Sequence, residues 1–350
     1  MRLAEGLSRD RDENNFNLIR IIAAFVVLVS HSFVIATGDP AQEPLRTWLG
    51  TTPGTIGVDV FFITSGFLVT KSLIDRNSIP KFAFARFLRI YPAMLIMVLA
   101  TTFLFGLFVS HFSFSDYIFD KNTLIYFLRN STIVFGPSYF LPDVFTSNPN
   151  MGVVNGSLWS MKFELWMYIF LTLIWIIMKS IKGNSHKYFF ISISVIVTIS
   201  LIFHFTNILT SPQFESHQLA HLTFMFFTGS LFYSLREKIS LRWGTFAFAV
   251  FILAASVFYR PAFSVIYALS IAYIVFCLAY LPRGALWSYN KLGDYSYGLY
   301  IYAYPIEQTI ALLNPRIPPL EMVLMAAPAT MALAILSWHV IEKRALRLKI

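Results

Sequence analysis

The chain reads as a succession of long apolar runs separated by short polar stretches. Ten runs are long enough to be membrane-crossing helices, at roughly 17–37, 56–75, 87–109, 157–179, 188–206, 218–235, 243–259, 262–281, 293–312 and 320–341. A crossing needs about 20 mostly apolar residues. Hydrocarbon leaves no water for the backbone, so a spanning segment must bond internally as a helix or a closed barrel. The pattern therefore predicts an all-α integral membrane protein, a bundle of about ten transmembrane helices in one membrane-embedded domain, 1–350, with no appended soluble domain. The segment 122–135 is too short and too polar to cross and is expected at the membrane surface. The loop 136–156 contains Pro137, Pro142, Pro149, Gly152 and Asn155. It is too long for a plain connector, and long ordered loops often serve as lids or binding loops.

Charge sets the orientation. With the N-terminus inside and ten crossings, both termini are cytoplasmic, and 21 of the 27 Lys and Arg fall on inner segments or inner helix ends, Arg11 and Lys182 among them. Arg46, Lys121, Arg129, Lys162, Arg260 and Arg316 remain outside. This is the positive-inside bias, and it accounts for the net charge of +9 without a nucleic acid. Charged residues make up only 13% of the chain against 57% hydrophobic, where a soluble domain carries about 25% charged. The single cysteine, Cys277, excludes an intrachain disulfide and any multi-cysteine metal site. The N-terminus does not read as a cleavable signal, because a polar stretch precedes an apolar run long enough to span.

Candidate chemistry begins in the first run, where Arg20 and His31 lie eleven residues apart. Eleven steps of about 100° return to within roughly 20° of the start, so the two share a helix face about 16 Å apart along the axis. Ionisable groups are costly in hydrocarbon, so that face should look at protein or water. On the predicted topology His31 lies in the outer half, Asp59 near the outer start of the second crossing and Glu164 about two turns into the fourth. These three can share one layer, where a carboxylate beside an imidazole makes a competent general base. The plainer alternative is an ion pair that joins helices. Arg86 and Arg89 share a face at the inner start of the third crossing. They read either as positive-inside anchors or as a fork for phosphate oxygens. His217 and His221 have the i,i+4 spacing of a zinc helix, but the Glu of HExxH is absent and no third ligand is evident, so packing is the expectation and no metal is assigned. Glu307 is a charge in the outer half of the ninth crossing, and Glu342 is expected to pair with basic residues near it. There is no Gly-rich phosphate loop and no G-x-S-x-G elbow.

Taken together these segments resemble the acyltransferase 3 family of membrane acyltransferases, from about Asn14 to Arg344. The family's opening pair, a basic residue and a histidine separated by ten residues, is matched by Arg20 and His31. Gly57 to Phe67 match a G-V-D-x-F-F-x-x-S-G-F segment, Arg86 to Pro92 an R-x-x-R-I-Y-P element, and Asn155 to Glu164 an N-G-x-L-W-S-x-x-x-E element. Leu292 to Tyr300 and Val340 to Lys343 match two late motifs. Two departures stand out. Many members carry a histidine shortly before the proline where this chain reads Tyr302-Ala303-Tyr304-Pro305, and a second acid where it has Leu165.

The resemblance implies transfer of an acyl group, most often acetyl, from acyl-coenzyme A to a hydroxyl of a cell-surface or lipid-linked carbohydrate. The expected location is the bacterial inner membrane. Acyl-coenzyme A is then a donor substrate, with no tightly bound cofactor. The partners would be that donor, a carbohydrate or glycolipid acceptor and membrane lipid, with no nucleic acid. Arg20, Arg86 and Arg89 would meet the donor's phosphates, His31 would be the general base or carry an acyl-histidine, and Asp59 or Glu164 would orient it. On this reading Arg89→Ala weakens donor binding. The rival expectation is a proton-coupled transporter or flippase for a glycolipid, with the same buried groups relaying protons.

Overall fold

The computed structural model describes residues 1–10, 12–181, 183–210 and 214–349, and only the backbone of 207–210 and 214–216. Arg11 and Lys182, counted above toward the inner charge, lie outside the described residues. The described chain is helical, with only isolated bridges such as Phe140 to Val153 in place of strands. Each of the ten apolar runs falls on a helix. In chain order these are α1 (Phe16–Thr37), α2 (Pro53–Arg76), α3 (Ile79–Leu99), α4 (Met161–Ser180), α5 (Ser185–Thr210), α6 (Phe214–Ser234), α7 (Trp243–Ser256), α8 (Arg260–Tyr280), α9 (Ser296–Leu313) and α10 (Pro319–Ser337). Among the described residues seven helices are long and apolar enough to cross a membrane: α1, α2, α3 with its continuation to Val109, α4, α5, α8 and α10 with its continuation to Arg347. α7 has only 14 residues, about 21 Å of helix, short of the roughly 30 Å hydrocarbon thickness. The protein is thus multi-pass and all-helical.

Two compact units make up the chain, and the divisions between them fall inside α1, at the start of α2's apolar stretch and near the beginnings of α3 and α4. The first unit comprises Met1–Arg20, Asp59–Ile79 and Phe163–Leu292. Its tightest crossing is α2 on α6. A Cβ on Gly66 would lie 1.8 Å from the carbonyl oxygen of Phe226, and one on Gly229 would lie 2.0 Å from that of Ile63. Two facing glycines let the backbones approach, as small residues do in membrane helix pairs. Beside this crossing Phe16, Phe67 and Phe276 pack as buried rings, with Phe67 and Phe276 centroids 4.6 Å apart.

The second unit comprises Ile21–Val58, Pro80–Lys162 and Gly293–Ile350. Here α3 runs into a π-helical stretch, Ala100–Phe105, and ends at Val109. The altered register leaves the Thr102 carbonyl to accept from the buried Tyr117 hydroxyl at 2.9 Å. The segment expected at the membrane surface is a helix, Lys121–Thr132, whose first turn is capped by the Asp120 side chain on the Asn122 amide. Its buried Tyr126 joins Tyr117, Leu141, Val144, Phe145 and Val154 in a small core beneath the 136–156 loop. That loop is fastened at several points. Asn130 both donates to the Ser138 carbonyl and accepts from its amide. Gln308 of α9 donates to the carbonyls of Asn150 and Val153, and Asn148 donates back to Gln308.

Candidate functional site

In the second unit His31 sits on α1 with its ring edge-on to Tyr304 of α9, centroids 5.1 Å apart at 72°. Its Nδ1 is buried, and His31 makes no hydrogen bond to any described residue. Tyr304 is held from the other side, since its hydroxyl accepts from the Asn150 amide group of the fastened loop. Gly156, at the start of the 3₁₀ turn leading into α4, lies so close beneath the Tyr304 ring that a Cβ there would come within 2.5 Å of it. Asn155 caps that turn through Ser157 and donates to the Ile301 carbonyl. The N-G-x-L-W-S element therefore fixes the aromatic wall against which His31 rests. The next residue on α1, Ser32, donates to Glu307 Oε1 at 2.6 Å. Glu307 is wholly buried, and its other oxygen has no partner among the described residues. Two residues before Ser32 on α1, Ser30 donates to Glu43, which also pairs with Arg46.

The basic element of α3 lies in the same unit. Arg86 stacks its guanidinium over Phe82 at 5.8 Å. Arg89 reaches Asp294, lies 3.6 Å from Glu342 and stacks over Tyr297. All three charged groups are largely buried. Three sequence motifs thus meet in one charge cluster, where Glu342 faces an arginine some 250 residues away in the chain.

The first unit holds the remaining predicted residues. Arg20 stacks over Phe61 at 5.5 Å. Asp59 is completely buried, with Oδ1 2.6 Å from His221 Nε2 and Oδ2 accepting from the Tyr267 hydroxyl at 2.7 Å. This ties α2, α6 and α8 together. Glu164 accepts from Ser65 at 3.1 Å and from Tyr168. The HQLAH pair acquires a third imidazole, with His204 of α5 4.7 Å from His221 and 5.5 Å from His217 between centroids. Among the described residues no group of three or more His, Cys, Asp or Glu is placed to hold a metal. Sequence reading paired Asp59 with His31 on depth alone. It passed over Tyr267 and Tyr304, whose only signal was a polar tip inside an apolar run.

Outside the membrane-spanning segments, Asp143 of the fastened loop accepts from both the backbone and the ring of His111. The backbone bond, then the ring bond, holds its carboxyl below the ordinary carboxylate value.

Residues 13–339 match the model of an acyltransferase domain, Acyl_transf_3. The chain is 30% identical to an O-acetyl transferase of Shigella phage Sf6, covering 95% of each chain. It is 27% identical to Nodulation protein 10 of Rhizobium leguminosarum bv. viciae, covering 96% of this chain and 94% of the relative. No solved structure matches. A family model spanning nearly the whole chain, and a relative aligned end to end, agree with the motifs that build the His31 wall and the Arg89 cluster: the chain belongs to the acyltransferase 3 family.

Proposed function

We propose that this protein is a membrane O-acyltransferase that moves an acyl group, acetyl in the simplest case, from acyl-coenzyme A to a hydroxyl of a cell-surface or lipid-linked carbohydrate. The fold would cross the inner membrane of a bacterium ten times, with both termini cytoplasmic. The acyl group is proposed from the family and from the O-acetyl transferase relative. The observation that carries the residue-level reading is His31, an imidazole held by an aromatic wall while its hydrogen-bonding capacity is unspent on described residues. A structural histidine is normally satisfied by protein partners, whereas a base must keep a nitrogen for its substrate.

In the proposed reaction the acceptor hydroxyl attacks the thioester carbonyl carbon. A C–O bond forms, and His31 takes the hydroxyl proton. The C–S bond then breaks, and the imidazolium returns the proton to the departing thiolate. For the donor's phosphates, Arg20, with its guanidinium over the Phe61 ring, is one candidate, and Arg86, over the Phe82 ring, is another. Arg89, already facing two carboxylates, would set the position of Arg86 one turn before it. Asp59 and Glu164 would act through their own partners, Asp59 by fixing His221 and Tyr267 and Glu164 by fixing Ser65 and Tyr168.

The test is transfer by the purified protein, given acetyl-coenzyme A and the host's surface glycan, read as released coenzyme A together with an ester-bearing product by mass spectrometry. His31→Ala should abolish both while the protein still elutes as a single folded species in detergent. Turnover retained in that variant would remove His31 from the mechanism.

A further inference from the structure

An imidazole that accepts a proton inside a membrane protein becomes a cation away from water, and such a charge needs an opposite one nearby. The other carboxylates among the candidate residues are already committed. Asp59 has both oxygens bonded, and Glu164 shares Oε1 between two hydroxyls. Glu43 is matched by Arg46 and Ser30. Glu307 differs. It is wholly buried, its single bond is to a neutral hydroxyl, and its Oε2 is without a partner among the described residues.

Its position follows from two contacts. α9 presents Tyr304 and Glu307, three residues apart on one helix face, to the consecutive residues His31 and Ser32 of α1. Successive Cα atoms lie about 3.8 Å apart, and the Ser32 hydroxyl spans the remainder at 2.6 Å. Glu307 Oε1 therefore lies within about 9 Å of the His31 Cα.

We propose that Glu307 is the positioning residue for His31: in its ionised form it supplies the counter-charge to the imidazolium formed during transfer and, through Ser32, it fixes the face of α1 that carries the ring. This rests on the reading of His31 as the base. The carboxylate forms no covalent bond in the reaction and consumes no co-reactant. Its effect is on the ease with which His31 holds the hydroxyl proton until the thiolate takes it. With the carboxylate within about 9 Å of the His31 Cα and an effective dielectric of about 20, loss of that charge lowers kcat by on the order of 10-fold.

The test uses Glu307→Gln and Glu307→Asp in the full-length protein in detergent, with steady-state transfer from acetyl-coenzyme A. Gln keeps the shape and can still accept from Ser32, so a purely structural role survives that change. The inference expects Glu307→Gln to lose on the order of 10-fold in kcat, with the KM for acetyl-coenzyme A and the unfolding temperature unchanged. Glu307→Asp should recover part of the loss. Wild-type kcat in Glu307→Gln overturns the proposal, as does a loss confined to KM. If His31→Ala is inactive while Glu307→Gln is fully active, only this inference fails. If His31→Ala is active, the reading beneath it fails as well.

Discussion

Arg89 separates two accounts of the basic element on α3, and the cluster around it gives a magnitude. Its guanidinium faces Asp294 and Glu342, and the side chains are only 13%, 11% and 2% exposed. At 3.6 Å and an effective dielectric of about 20, one such pair attracts by about 4–5 kcal/mol before desolvation is counted. The net value is smaller, because all three groups have left water. Removing the arginine is another matter. Arg89→Ala leaves two like charges close together and unpaired, and breaking a buried pair costs about 3–5 kcal/mol. Much of that should return in the triple variant Arg89→Ala, Asp294→Asn, Glu342→Gln, since the orphaned charges are gone. The assay is thermal unfolding in detergent, followed by size-exclusion elution, on the single and triple variants beside the wild type. Acetyl-coenzyme A affinity is measured on each by calorimetry. If Arg89 holds Asp294 and Glu342 together, the single variant has a strongly lowered midpoint and the triple variant recovers substantially. A single variant with a wild-type midpoint and no measurable coenzyme A binding would refute this role and make Arg89 a phosphate ligand.

Other outcomes follow from the same physics. Gly66→Ala forces a methyl against the Phe226 carbonyl across the α2–α6 crossing, and should cost about 1–3 kcal/mol or more of stability, read as a lower unfolding midpoint. Tyr267→Phe removes one hydrogen bond to a buried carboxylate, about 1.5–3 kcal/mol. His221→Ala, which strips the other side of Asp59, should be the more damaging of the two by the same measurement. For Asp143 the sign is that of a carboxyl held below its unfolded value. Its contribution is present at neutral pH and fades as pH falls through that lowered value. Limited proteolysis of the 136–156 loop should therefore quicken at acid pH, and the acid sensitivity should shrink in His111→Ala. An exposed pair of this kind gives a small, salt-screened effect, so a loop equally resistant at all pH values would dismiss the contact as inert.

The helices were legible because one constraint writes them. A backbone in hydrocarbon must close its own hydrogen bonds, so apolar runs such as 17–37 and 262–281 reappear as Phe16–Thr37 and Arg260–Tyr280. The helix Lys121–Thr132 was legible for the complementary reason, as a segment too short and polar to cross. Partners were not legible. Helix periodicity relates residues three or four apart, while Asp59 finds His221 and Arg89 finds Asp294 and Glu342 across more than a hundred residues. Reading depth from a topology assigns residues to a layer but does not say which of them touch.

The distribution of carboxylates explains why that gap mattered for the site. Buried acids in a membrane protein are expensive, so each must be matched, and the match says what the acid is free to do. Asp59, Glu164 and Asp294 are each met by two protein partners: a histidine and a tyrosine, a serine and a tyrosine, an arginine and a serine. Glu307 is met by one serine, beside the imidazole that has no hydrogen bond among the described residues. A buried acid and a half-buried imidazole, each under-partnered among the described residues and met at the consecutive positions His31 and Ser32 of α1, are the two groups that the proposed counter-charge role joins. The aromatic and asparagine contacts around Tyr304 then act as supports that keep this pair aligned.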